Sequence, residues 1–311
     1  MADFQMHLWM VDEVASQISR PIQKEILWIA AQGPDPFLYQ RSGKTSVLGS
    51  VMHDTDTGTL LRRLVELTKT SLTEETYSFL VGFLCHYVLD IHLHPYVYYH
   101  VGIYRPNRPE THQLRGLHMR FERSIDCAWI PLRFSVPSRK YRVTHRYYPA
   151  YELPRDVSRL VGDVSKEVYH IEGGDQGYRD SVDFMRTVLR HMVPDRFGFK
   201  KLVYRILDLF ARSQDLYFRD LSYYHHVTNV DFLNLDHRTW LHPMTGTPSK
   251  ASVLELYEEA KVDALRILHE VDLYLFEDKP IDFEKLFPNL SFNTGVDCLL
   301  GDELKYIQPY E

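Results

Sequence analysis

The chain has 311 residues, of which 44% are hydrophobic and 13% aromatic, so it holds ample apolar material for a full core. Its 36 Lys and Arg residues against 42 Asp and Glu residues give a formal net charge of -6, which offers no overall attraction to nucleic acid or to an anionic membrane. These values exclude a disordered chain and a mini-protein, and they predict no nucleic-acid partner beyond a nucleotide substrate.

Cysteine usage and the N-terminal segment predict a cytoplasmic protein. Cys85, Cys127 and Cys298 lie far apart and form no Cys-x-x-Cys pair, so they encode neither a disulfide framework nor a cysteine zinc knuckle. The first 30 residues have no basic start or small-residue cleavage site, which predicts no signal peptide. The longest apolar-rich stretch, residues 77–93, is interrupted by His and Asp, which predicts no transmembrane segment.

Apolar residues recur with helical periodicity along nearly the whole chain, and no alternating segments predict a β-hairpin. We therefore predict an all-α fold, a bundle of many helices. The predicted helices cover residues 2–19, 21–31, 57–69, 71–94, 110–129, 154–170, 176–192, 199–224 and 249–275. Pro21 is predicted to start the second helix and a capping box of Ser71 and Glu74 the fourth, while Pro95 and Pro131 are predicted to follow helix ends.

Residues 131–154, rich in Arg, Tyr and Pro, form a predicted irregular connector between an N-terminal half and a helical C-terminal half, residues 155–311. Flexible linkers are rich in Gly and Ser, whereas this segment is aromatic. We therefore expect it to pack against the protein through Tyr141, Tyr147, Tyr148 and Tyr151. The sequence predicts one domain, 1–311, with the chemistry in residues 1–130.

Histidine is the outlier of the composition, since six of the 16 histidines lie between positions 86 and 118. Two predicted helices carry a His and carboxylate stripe with a spacing of four residues, which places each stripe on one helix face. The stripes consist of His86, Asp90 and His94 on the first helix and of His118, Glu122 and Asp126 on the second. Facing stripes of this kind hold paired metal ions in helical bundles. Imidazole and carboxylate ligands without thiolate favour zinc.

The ordinary interpretation of a single His with an acid four residues away is a pair on a helix surface. Two such stripes on neighbouring apolar helices are different. Burying their charges without a compensating cation would cost several kcal/mol. We therefore favour a metal centre over structural ion pairs.

These stripes belong to a longer pattern within the first 130 residues. It comprises His7 near the N-terminus, Asp35 in the run GPDPF, His53 after Met52, and then the runs FLCHYVLDIHLHPY and HMRFERSID. In order and residue type this pattern resembles the zinc-dependent phospholipase C family, whose fold is shared by the S1/P1-type nucleases.

The resemblance implies an all-α bundle of that type and a phosphoric ester hydrolase with a multi-zinc centre. It implies that one zinc ion is held by Asp35, His53, His86 and Asp90. It implies that a second is held by His94, His118 and Glu122, with Asp90 bridging. In some members a third zinc is bound by the N-terminal residue together with the counterparts of His7 and Asp90. The counterpart of Asp35 is proposed to orient or deprotonate the attacking water.

Several assignments have alternatives. His92 or His100 could replace His94 as a ligand, although His94 has the helical spacing. Asp126 is predicted to hold a liganded imidazole by its other N–H, or to form an ion pair. Asp54 and Asp56 could reach the metals, but acidic residues before a helix are more often caps.

The predicted substrate is a small phosphoester or a phospholipid. Two other functions stay open at this point. A nuclease or nucleotidase of the same fold would need an aromatic pocket on which a base can stack. A non-catalytic helical protein with a structural metal would have a closed coordination sphere.

Overall fold

A computed structural model of the protein describes residues 4–40, 43–141, 152–210, 216–224 and 230–310. These residues are mostly helical, in agreement with the predicted all-α class. The helices are α1 Phe4–Ala15, α2 Lys24–Ala30, α3 Leu48–Asp54, α4 Thr57–Thr70, α5 Glu74–Val101, α6 Leu117–Phe134, α7 Arg155–Tyr169, α8 Gly174–His191, α9 Phe199–Phe210, α10 Val253–Glu277 and α11 Phe283–Leu286. Two short strands, β1 Trp240–Leu241 and β2 Pro248–Ser249, pair antiparallel.

Helix α5 is the centre of the fold, and α1, α2, α6 and α10 pack around it. It starts with a capping box in which Thr73 Oγ1 accepts the amide of Thr76 at 3.2 Å and Thr76 Oγ1 accepts the amide of Thr73 at 2.9 Å. The predicted box at Ser71 was therefore wrong by two residues. One described helix, α5, is long and apolar enough to cross a membrane. However, 89% of its most apolar 18-residue segment is buried inside the fold. Its composition is that of a core helix.

The two predictions that proline ends a helix were wrong. Helix α5 continues through Pro95 to Val101, and α6 continues through Pro131 to Phe134. Proline removes one helical hydrogen bond, which for Pro95 is the bond to the carbonyl of Ile91. The backbone of Gly295 packs against that carbonyl, since a Cβ at Gly295 would lie 2.7 Å from its oxygen. The backbone near Gly295 thus covers the Ile91 carbonyl, which lacks its helical hydrogen bond because of Pro95.

Other helix boundaries also differ from the predictions. Helix α2 begins at Lys24 instead of Pro21, because the backbone amide of Gln23 donates to Ser78 Oγ of α5 at 2.8 Å. Residues 109–114 form a separate 3-10 helix, because Gly116, with φ of 72°, interrupts the helical path before α6. Of the predicted helix 199–224, residues 199–210 are helical, whereas residues 216 and 217 are not and residues 218–221 form a 3-10 helix.

The buried apolar side chains form one cluster that extends from Phe4 to Phe292 and draws on both halves of the chain. In the connector, residues 138–140 form a 3-10 helix, and Tyr141 stacks on Phe134 with ring centroids 4.7 Å apart. Tyr141 therefore packs against the protein as predicted. The other connector tyrosines, Tyr147, Tyr148 and Tyr151, lie outside the described residues.

Helices α2 and α5 approach most closely at Gly82. A Cβ at this position would lie 2.5 Å from the Cβ of Ala30 and 2.8 Å from the carbonyl oxygen of Leu27. Alanine in place of glycine stabilises an unhindered helix by about 0.5–1 kcal/mol, but here the collision with α2 should outweigh that gain. We expect Gly82→Ala to lower the free energy of unfolding by about 1–3 kcal/mol, measured by urea denaturation. A more stable variant would contradict the close packing.

Candidate metal centre

The eight predicted ligands come from five elements of the N-terminal half. They are His7 on α1, Asp35 on the 3-10 helix Asp35–Tyr39, His53 on α3, His86, Asp90 and His94 on α5, and His118 and Glu122 on α6. Helix α3 was missed by the sequence analysis, because its seven residues are too few to show a helical period. The structure brings all eight side chains to one region around α5.

Asp90 lies at the centre of this region. Its Oδ2 is 3.1 Å from Nε2 of His86 and 3.8 Å from Nε2 of His53. Its Oδ1 is 3.4 Å from Nε2 of His7 and 3.8 Å from Nε2 of His94. The two oxygens of one carboxylate thus face different imidazoles, which is the arrangement of a bridging ligand.

Three sets of side chains could each hold a metal ion, because the ligand atoms within a set lie within 4.8 Å of one another. Set 1 is Asp35, His53 and His86, set 2 is His94, His118 and Glu122, and set 3 is His7, His86 and Asp90. In set 1 the Oδ1 of Asp35 is 3.1 Å from Nε2 of His53. In set 2 the Oε1 of Glu122 is 2.9 Å from Nε2 of His118 and 3.3 Å from Nε2 of His94.

Backbone carbonyls fix three of the imidazoles through their Nδ1 atoms. The pairs are His53 with Gly49 at 2.5 Å, His86 with Ala31 at 3.1 Å and His94 with Phe292 at 2.7 Å. A carbonyl oxygen can only accept, so each Nδ1 carries a hydrogen, and in the neutral form of each ring Nε2 keeps its lone pair towards the centre. The fold therefore sets the tautomer that metal binding requires.

The buried centre contains polar atoms that protein groups do not satisfy. His7, Asp35, His53, His86 and Asp90 are all buried. Both ring nitrogens of His7, Nε2 of His53 and His86, Oδ1 of Asp35 and both oxygens of Asp90 make no well-formed hydrogen bond within the described part of the chain. Each such atom costs about 1–3 kcal/mol when it is left without a partner. Cations would satisfy them together, so the donors fit a metal centre.

The protonation of these groups also suits metal binding. Burial lowers the pKa of His94 to about 3 and lowers the pKa of His7, so both imidazoles are neutral at neutral pH. Burial opposes the ionisation of Asp90, but the imidazoles of His86, His94 and His7 together outweigh it, and the pKa of Asp90 lies well below its usual value. Neutral imidazole and ionised carboxylate are the forms that bind metals.

The structure separates His94 from its two alternatives. The Nε2 of His92 faces α10, where it is 3.5 Å from Oδ2 of Asp263. The ring of His100 stacks on Phe121, with centroids 5.2 Å apart. Of the three histidines, His94 is the one that belongs to a ligand set.

Asp126 binds the backbone of helix α1. Its Oδ2 accepts the hydroxyl of Tyr223 at 2.5 Å and the backbone amide of Gln5 at 3.3 Å. Gln5 lies on α1, two residues before His7. These contacts support the helix that carries a ligand.

A C-terminal loop that the sequence analysis missed completes the centre. Besides its carbonyl bond to His94, Phe292 donates its amide to the carbonyl of His53 at 2.8 Å. Ser291 Oγ and Asn293 Nδ2 donate to the carboxylate of Asp54 at 2.6 and 2.7 Å. Asp54 is thus the anchor of this loop. Asp56, the other predicted cap, occupies the N-cap position of α4 without a side-chain hydrogen bond.

A pocket of about 250 Å³ lies next to the ligand sets. It is lined by Leu38, Ser50, His53, Asp54, Tyr98, His118 and Asn293. The side chain of His118 is 29% exposed, so set 2 is open to the solvent. Sets 1 and 2, through His53 and His118, therefore border the same pocket.

No family model, curated protein or solved structure matches the chain. The possible metal sites rest on the geometry of this chain itself.

Gly33 lets the chain pass close to a ligand. It has a φ of +46°, and a Cβ there would lie 2.3 Å from Cδ2 of His86. We expect Gly33→Ala to displace this imidazole, to lower the melting temperature and to weaken metal affinity by about tenfold or more. The matched control is Gly301→Ala, with a φ of +70° and no described atom within 4 Å of the added Cβ. It carries a similar backbone cost of about 1–2 kcal/mol and should keep its metal affinity. Equal metal affinity in both variants would contradict the assignment of His86.

The purified protein should contain at least two divalent ions per chain, measured by elemental analysis. Chelation should lower the melting temperature, because it leaves the buried polar atoms of the ligand sets without partners. Acidification through the imidazole range should release the ion of set 1, because a histidine must be neutral to bind a metal. Burial opposes the protonation of His53, but Asp35 and Asp90 outweigh it and raise the pKa of His53 above its usual value, whereas His94 of set 2 has a pKa of about 3. Fewer than one ion per chain, or full retention near about pH 4, would exclude the metal centre.

Proposed function

We propose that the chain is a zinc-dependent phosphoric ester hydrolase that resembles zinc-dependent phospholipase C in fold and metal centre. One observation carries the proposal: the ligand sets converge on Asp90, and two of them border one pocket. The order of the eight ligands along the chain and their distribution over helices support the resemblance. The open position of His118 supports catalysis, because a structural metal site is closed on all sides.

The spacing of the ligand atoms supports zinc as the metal. Ligand atoms about 2.0–2.1 Å from a tetrahedral zinc ion lie about 3.3 Å from one another. Within set 1, Asp35 and His53 are 3.1 Å apart, and within set 2, Glu122 is 3.3 Å from His94 and 2.9 Å from His118. Imidazole nitrogen with carboxylate oxygen is also a common donor set of hydrolytic zinc sites.

Zinc ions bound there would lower the pKa of water and neutralise the oxygens of a phosphate group. We assign Asp35 the role of orienting that water and taking up its proton, as the resemblance implies. Burial opposes ionisation of Asp35, but His86 and His53 outweigh it and lower the pKa of the carboxyl group. Asp35 is therefore ionised at neutral pH and can accept a proton.

The pocket favours a compact phosphodiester as the substrate. Its described lining contains no Lys or Arg and includes the carboxylate of Asp54, so the negative charge of a phosphate must be balanced by the metal ions. Around the rim, Tyr98 donates its hydroxyl to Asn293 Oδ1 at 3.1 Å, and Asn293 is bound in turn to Asp54. This network presents polar groups to the part of the substrate beyond the phosphate.

The same lining weighs against a nuclease. Among the described lining residues, Tyr98 is the one that could stack on a base. The planes of the Tyr98 and His118 rings are inclined at 63°, and their centroids are 4.9 Å apart. A base-stacking platform needs an aromatic face open to the pocket. We therefore rank a phosphodiester such as a phospholipid headgroup ahead of a nucleotide.

Replacement of one open ligand tests the proposal. His118→Ala should reduce hydrolysis of a chromogenic phosphodiester by about 100-fold or more and lower the melting temperature, because set 2 loses an imidazole. His92→Ala is the matched control, since His92 lies on α5 but faces Asp263. The control should retain both activity and metal. Equal loss in the two variants would show that the ligand face is wrong, and a parallel screen of phospholipids and nucleotides would rank the substrates.

A further inference from the structure

Helix α9 presents its apolar face to the solvent. The exposed apolar side chains of this face are Phe199, Leu202, Val203, Ile206, Leu209 and Phe210. Their spacing of three and four residues places them on one side of the helix. The exposed fraction is 73% for Phe199 and 81% for Phe210. A surface helix of a globular protein ordinarily buries such a stripe, so the polarity of α9 is inverted.

Specific bonds hold the polar face of α9 against the protein. Lys201 Nζ donates to the carbonyl of Tyr224 at 2.8 Å, and Oδ1 of Asp208 accepts the amide of Phe218 at 2.6 Å. Tyr204 lies on the same side, and it is the one buried side chain among the described residues of α9. The outward orientation of the apolar stripe is thus fixed by the contacts of the opposite face.

The polar face also lines a cationic pocket of about 240 Å³. Its charged lining residues are Arg120, Arg123, Lys201, Arg205, Arg219 and Asp220. The Asp220 carboxylate is bound to Arg120 by two hydrogen bonds of 3.1 Å. The pocket therefore has a surplus of positive charge, although the chain as a whole has a net charge of -6. Guanidinium groups in such a pocket are suited to a phosphate group.

We propose that α9 is an interfacial helix that docks the protein onto an anionic phospholipid surface. Its 12 described residues span about 18 Å and carry their exposed apolar side chains on one side, so this segment lies in the plane of the surface. Its apolar stripe enters the boundary between headgroups and acyl chains. The cationic pocket on its other face lies towards the phosphate layer and takes up a lipid phosphate.

Charge favours a lipid surface over a second copy of the chain. Residues 195–210 contain four basic residues, Arg196, Lys200, Lys201 and Arg205, and two acidic ones, Asp195 and Asp208, a surplus of two positive charges. Both carboxylates accept backbone amides, from Lys201 and Phe218. In a two-fold contact through α9, each copy would bring the same cations to the other. Anionic lipid phosphates complement these charges instead, and juxtamembrane Lys and Arg gain from this attraction. The inference concerns a surface outside the metal centre and does not depend on the proposed hydrolase activity.

Vesicle binding of the full chain tests the docking surface. The partition coefficient is measured with vesicles of phosphatidylcholine and of an equimolar mixture of phosphatidylcholine and phosphatidylserine. The wild-type protein should bind the mixed vesicles, and added salt should weaken that binding. The double variant Phe199→Gln, Phe210→Gln should bind them about tenfold or more weakly. Arg205→Glu should also weaken binding to the mixed vesicles.

The matched control is Leu299→Gln, Leu300→Gln, which replaces two exposed apolar side chains outside α9, of which Leu299 is 86% exposed. Circular dichroism checks that all variants are folded. Unchanged vesicle affinity of the α9 variant, or an equal loss in the control, would overturn the proposal. So would a wild-type dimer that the α9 variant dissociates, since a second copy would then be the occupant.

Two further measurements keep this test separate from the hydrolase proposal. His118→Ala should bind the vesicles as the wild type does. The α9 variant should hydrolyse a water-soluble phosphodiester at the wild-type rate. Failure of hydrolysis in all proteins would therefore leave the docking result intact.

Discussion

The structure depends on the burial of an ionised carboxylate, that of Asp90, in the middle of its longest helix. Removing a carboxylate from water costs several kcal/mol even after the protein relaxes, and imidazoles that are themselves buried repay it poorly. Cations held by the ligand sets would resolve the conflict, because they would attract Asp90 and accept the lone pairs of the imidazoles at once. The surrounding helices bring the Nε2 atoms of four imidazoles within 3.8 Å of the Asp90 carboxylate.

The second requirement is that the imidazoles face the centre through Nε2, and distant segments meet it. Carbonyls at Gly49, Ala31 and Phe292 come from α3, from the end of α2 and from the C-terminal loop. Phe292 binds His94 by its carbonyl and the backbone of His53 by its amide, so one residue positions two ligand sets. The C-terminal loop is therefore part of the centre, and the centre links both ends of the chain.

The sequence could reveal those ligands whose spacing is local. His86, Asp90 and His94 are four residues apart, and a helix turns such a spacing into a face whatever lies around it. It could not reveal that the carbonyl of Phe292 orients His94. Every residue type has a backbone carbonyl, and a contact between residues some 200 positions apart leaves no periodic pattern in the sequence. Nor could it show that α5 continues through Pro95, because the cost of an internal proline, about 3 kcal/mol, is offset by the burial of the helix. The orientation of α9 was equally hidden, since periodicity gives a stripe but not the side that faces the protein.

Helix α6 contributes residues both to the metal centre and to the cationic pocket, and it lies between them. Set 2 takes His118 and Glu122 from one side of this helix, and the cationic pocket takes Arg120 from the opposite side and Arg123 from the flank between them. Positions 118 and 122 differ by 40° around the axis, whereas position 120 lies about 160–200° away from both. A phosphate at the pocket and a phosphoester at the metal centre would therefore lie on opposite sides of a rod about 10–12 Å thick. Docking on a lipid surface and binding of a substrate would then use different phosphates and would not compete.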